Sequence, residues 1–171
     1  MHFVTSTARL CSSLTLAALC AVLGACDAGA PVPPGVDPGV LPALDRGRDL
    51  RGPDANDNGV RDDVEAYIDA LPLTDAQRKA AMQTARVQQQ SMLIDLADRA
   101  AVIALGSASM ASTACMADTF AIGSVVSSRE LNLKIEAITA NTPERARRYI
   151  QYMRALSGTS TAYPDGNTCE E

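Results

Sequence analysis

Between Asp54 and Glu65 the chain reads DANDNGVRDDVE, with oxygen-bearing side chains at alternate positions up to a glycine and an acid closing the run. Calcium takes about six to eight oxygens at flexible geometry, and a twelve-residue loop supplies them from positions one, three, five, seven, nine and twelve. Asp54, Asn56 and Asn58 fill the first three slots with side-chain oxygens. Val60 would give its carbonyl, Asp62 a direct or water-mediated contact, and Glu65 a bidentate carboxylate from the first turn of a following helix. Gly59 stands where the chain must turn sharply, at a backbone angle most residues avoid. Three formal anions and two amides suit the dissociation constants of extracellular modules, about 0.1 to 1 mM. The competing reading is an Asn-Gly turn before a helix whose first turn is acidic because of the helix dipole.

The Asp-x-Asn-x-Asn-Gly core resembles the loops of thrombospondin type 3 repeats and dockerins, looser relatives of the EF-hand. Two departures separate it from a true EF-hand: Arg61 replaces the apolar residue that pairs neighbouring loops, and the Gly/Pro-rich segment before Asp54 supplies no incoming helix. The resemblance covers this one loop, so it implies the ligand roles and neither adhesion nor scaffold binding.

Other chemistries are constrained by what the chain lacks. Residues 1 to 25 form a secretory signal, with one cation at Arg9 and an apolar run from Leu10 to Leu23. At its end, Leu23, Gly24, Ala25 and Cys26 resemble the bacterial lipobox, which implies diacylglycerol on the Cys26 thiol and a body held at the inner or outer membrane. By resemblance to enteric lipoproteins, Asp27 favours the inner membrane, but the sorting rule differs among bacteria and leaves the choice open. An ordinary signal peptide or an uncleaved anchor is the alternative. Cleavage would remove Cys11, Cys20 and His2, the one histidine, and with it any Ser-His-Asp triad, Cys-His pair or imidazole zinc site. No catalytic motif remains, and no Ser stands three residues before Lys79 or Lys134, the two lysines of the chain. A hydrolase would have to work with paired carboxylates or a Ser-Lys pair.

The 171 residues carry a formal net charge of −5, and no clustered basic face is present to serve a nucleic acid. The mixed cluster of Glu144, Arg145, Arg147 and Arg148 reads as a solvated helix face. The expected partners are a membrane, through the lipid, and a protein of the envelope. An inhibitor or immunity protein directed at a toxin or hydrolase is the alternative, by analogy of type alone. Oligomeric state is open.

The elements that must position the loop form an all-α body, residues 54–171, expected as a bundle of four to five helices behind a Pro/Gly tether at 26–53. Extended, the tether reaches up to roughly 80 Å, at about 3.1 Å per residue; packing of Val40 to Leu44 and Leu50 along the domain is the other reading. Val64, Tyr67, Ile68 and Leu71 share one helical face. Thr74 with Gln77 marks a capping box that opens a long helix to about Leu105, polar at first and more buried later, with a hairpin break at Gly106. Ala100 to Ala117 carry no charge, yet Ser107, Ser109, Ser112 and Thr113 interrupt the run, which suits close packing in a bundle better than a membrane span. Ser127 with Glu130 and Thr142 with Pro143 mark two further starts. Ala146, Tyr149, Ile150, Met153 and Leu156 make the expected core stripe of the last helix, and its Tyr and Met positions read as core rather than as a ligand box. Gly158 ends that helix, and the tail is loop. Cys115 and Cys169 are the thiols left in the exported body; a disulfide between them is the default, and free thiols or a redox pair the alternative.

Overall fold

Four of the five helices among the described residues begin where a short polar side chain accepts from a backbone N–H. The computed structural model describes residues 42–170 and contains α1 (Asp62–Asp69), α2 (Asp75–Leu93), α3 (Arg99–Thr119), α4 (Ser128–Thr139) and α5 (Pro143–Leu156). No strand occurs among the described residues, and the architecture is a small all-α bundle. The leader, Cys26 and the tether up to residue 41 lie outside the described residues, as does Glu171. Thr74 and Gln77 form a complete capping box: Thr74 Oγ1 accepts from Gln77 N at 3.3 Å and Gln77 Oε1 accepts from Thr74 N at 3.0 Å. Ser127 caps α4 by accepting from Glu130 N, and Thr142 caps α5 by accepting from Arg145 N ahead of Pro143.

α2 is the central element and packs against each of the other four helices. Its small residues Ala80, Ala81 and Ala85 are buried and let α1 and α4 approach closely. They join Val60, Val64, Ile68, Cys115, Met116, Leu131, Ile135 and Ile138 in the main core. A second cluster, built on Val87, Val102, Leu105 and Tyr152, holds the far end of α2 against α3 and α5. Side chains such as Ile68 and Ile135, both with 0% exposure, contribute about 1.5–3 kcal/mol each through removal from water. The Cys115–Cys169 disulfide, with Cα atoms 4.9 Å apart, ties the tail to α3. Beside it the tail lies along α2, where Gln83 donates to Thr168 O and accepts from Glu170 N.

Several expectations are corrected. The long helix does not run to Leu105: α2 ends at Leu93, and the chain turns through Ile94 to Asp98 before α3. Asp95 Oδ1 accepts from Ala97 N and Asp98 Oδ1 caps α3 at Ala101 N, so two aspartates three residues apart win backbone donors from the helix. Gly106 is not the break. It lies within α3, where an added Cβ would stand 2.8 Å from Leu156 Cδ2, and its role is close approach to α5. The glutamines of α2 are not simply polar surface either. Gln83 and Gln89 are buried, because each serves the backbone of a flanking segment: Gln89 donates to the carbonyls of Leu50 and Arg51.

The phase of α5 also differs. Ile150 and Met153 are half exposed, whereas Arg145 and Tyr152 are buried. The inward face therefore carries an arginine where the charged cluster suggested solvent. Finally, the described part of the tether, residues 42–53, packs on the bundle: Leu44 joins the main core, and Asp45 meets Arg145, Asn141 and Asp63. Packing along the domain is therefore the reading that the described residues 42–53 support.

Candidate metal centre

The loop folds around its first residue. Asp54 Oδ1 accepts from Asn58 N at 3.1 Å and Asp54 Oδ2 from Gly59 N at 3.0 Å, so one carboxylate gathers two successive backbone donors. Asp57 (φ 53°) and Gly59 (φ 80°) both take left-handed backbone. At Gly59 space is not the constraint, since an added Cβ would meet Arg86 Cγ at an ordinary 3.6 Å; the backbone angle is what favours glycine. The ends of the loop are closed by Asp62, whose N–H donates to Pro53 O and whose Oδ1 accepts from Ala55 N, both at 2.9 Å.

Across the loop three of the expected ligands face one another. Asn56 Nδ2 lies 3.0 Å from Glu65 Oε2, and Asn58 Nδ2 lies 2.9 Å from Glu65 Oε1. The amide oxygens meanwhile accept from Asn58 N and Val60 N. A half-turn of each amide about its terminal torsion exchanges N for O. That turn would bring two neutral oxygens toward the carboxylate, as a bound cation requires, and would give up the bonds that the amide oxygens accept from Asn58 N and Val60 N. Asp54, Asn56, Asn58, Asp62 and Glu65 are thus brought into one closed loop, with Val60 adjoining. Among the described residues no three His, Cys, Asp or Glu side chains converge at metal-binding range. The loop's donor set fits a hard cation through a mixture of amides, carbonyl and carboxylates rather than through clustered acids.

The loop is held to the bundle by its most unusual residue. Arg61 is fully buried; it forms a bidentate pair with Asp63 and donates to the carbonyls of Ile138 at 2.8 Å and Thr139 at 3.3 Å, the last turn of α4. The guanidinium takes the place of an apolar loop-pairing residue by satisfying orphan carbonyls at a helix C-terminus. Asp63 Oδ2 accepts in addition from Asp45 N, joining the N-terminal flank to the same network. Arg145, equally buried, reaches Asp45 Oδ2 at 2.5 Å and the carbonyls of Asp45 and Asp49. Its guanidinium, together with the Gly47 N–H, holds the Asp45 carboxyl below the usual carboxylate range. Gly52 (φ 66°) lies where the two arginines meet: an added Cβ would strike Arg61 Cδ and stand 2.9 Å from Arg145 Nη2.

Sequence reasoning missed this pair of arginines. A signal was present at Arg145, which precedes Tyr149 and Tyr152 by four and seven residues and shares their helical face. Arg148 is a second case, donating to the carbonyls of Met92 and Ile94 at the end of α2. No known protein family, curated protein or solved structure matches the chain.

Proposed function

We propose that the chain is a calcium-stabilised lipoprotein of the bacterial envelope, anchored through Cys26, that acts as a binding or assembly module. The observation that carries the reading is the convergence of Asn56 and Asn58 on Glu65 inside a loop closed by Asp54 and Asp62. When bound, calcium would be held by Asp54, Asn56, Asn58, the Val60 carbonyl, Asp62 and Glu65, and would neutralise their charge. Glu65 belongs to α1, and Arg61 and Asp63 tie the same stretch to α4 and to the flank at Asp45. Ligation therefore stiffens the junction between anchor and bundle. Binding to the native state alone adds stability in proportion to the logarithm of occupancy. A site of millimolar affinity would stay filled wherever calcium is abundant, as a structural element rather than a sensor.

The test is a thermal melt of the full chain in mild detergent micelles, with calcium and with a chelator. A calcium-dependent rise in the midpoint that vanishes in Glu65→Gln supports the proposal. An identical midpoint under both conditions reduces the loop to a capped turn.

A further inference from the structure

A second site lies away from the loop, in a cleft of about 360 Å³ where α2, α3, α4 and α5 meet. Its walls include Met110, Glu136, Tyr149, Tyr152 and Met153. One carboxylate and no arginine or lysine line the cleft among the described residues. Among the described residues Glu136 has no ion-pair partner, although it is only half exposed. Around it stand two tyrosine rings and two thioethers, surfaces that attract a positive charge through ring quadrupoles and polarisable sulfur. The Tyr152 hydroxyl, buried beside the cleft, has no hydrogen-bond partner among the described residues.

We propose that this cleft binds a small organic cation, an ammonium group on a compact apolar body, against the Glu136 carboxylate and the rings of Tyr149 and Tyr152. The size of the cleft falls at the lower end of that of small-molecule sites, which suits a ligand smaller than a nucleotide. Burial and the Glu136 carboxylate push the Tyr149 hydroxyl up to about 12, so it keeps its proton near neutral pH. This site is independent of the metal loop, and its occupancy does not rest on calcium.

The probe is choline, compared with its neutral isostere 3,3-dimethyl-1-butanol, titrated into the full chain in detergent micelles and followed through the methyl signals of Met110 and Met153. Saturable shifts at those two methyls with choline, and tenfold weaker or absent shifts with the neutral isostere, support the site. Glu136→Gln should weaken choline about tenfold or more, and Tyr149→Leu, which removes the ring face, should weaken it as well. Phosphocholine separates two sources of the same chemistry: tighter binding than choline points to a lipid headgroup, weaker binding to a free amine. Equal binding of choline and the isostere, or no shift with choline at about 10 mM, overturns the proposal.

Discussion

The guanidinium of Arg61 donates from Nε to Asp63 Oδ1 at 2.5 Å and from Nη2 to Asp63 Oδ2 at 3.0 Å, with the two side chains 0% and 7% exposed. Such a pair is costly to break on one side, because the remaining charge is left in the interior. Arg61→Ala should lower stability by about 3–5 kcal/mol. Arg61→Met with Asp63→Leu should recover much of that loss, although the carbonyls of Ile138 and Thr139 then lose their donor. Urea denaturation of both variants measures the difference.

Gly52 provides a test of the close approach between the two buried arginines. Its positive φ and the nearness of Arg61 and Arg145 make Gly52→Ala destabilising by about 1–3 kcal/mol. A neutral substitution would contradict the placement of residues 42–53 on the bundle. Gly158→Ala, also at positive φ but with nothing near its added Cβ, is the control that isolates backbone strain from crowding.

Two titrations should show in the pH dependence, with opposite signs. The Asp45 carboxyl is depressed in the folded protein from an ordinary 3.8, chiefly by Arg145. Its contribution is complete above the ordinary value and is lost as pH falls through the depressed one. Asp45→Asn should therefore flatten the acid limb of the stability profile. Tyr149 is raised from 10.0 to about 12, so its contribution is complete below pH 10 and is lost as pH rises toward 12. Tyrosinate absorbance followed with alkaline unfolding should show late titration of Tyr67, Tyr149 and Tyr152, with Tyr149 the most displaced, and Tyr149→Phe should remove the latest step.

Reduction of the Cys115–Cys169 disulfide reopens a loop of 54 residues. In the chain-entropy model this costs roughly 4 kcal/mol. The paired Ser variant should show that loss in denaturant. Hydrogen exchange should also quicken at Glu170 N, which Gln83 now accepts.

The parts of the fold that were legible in the sequence are those written in local chemistry. Thr74 with Gln77 and Thr142 with Pro143 mark helix starts because capping needs only neighbouring residues, and the spacing of Val64, Ile68 and Leu71 gives the face of α1 directly. What was not legible depends on distant partners. Arg145 looks solvated until Asp45, one hundred residues away, is placed beside it. Gln89 looks like surface until residues 50 and 51 present their carbonyls. Gly106 looks like a helix break because its partner, Leu156, is on another helix. In the loop, the residue types and spacing suggest the six ligand positions proposed for calcium, whereas the anchoring through Arg61 to α4 depends on the C-terminal carbonyls of a helix nearly eighty residues on.

Calorimetric titration of the full chain with calcium, paired with Glu65→Gln, tests the metal centre most directly. One ion per chain with a dissociation constant of about 0.1 to 1 mM is the predicted result. At roughly 10 mM calcium that binding adds about 1.4–2.7 kcal/mol of stability, and Glu65→Gln should abolish both the heat and the gain. Absence of binding heat and of any stabilisation at that concentration would contradict a calcium site at Asp54–Glu65.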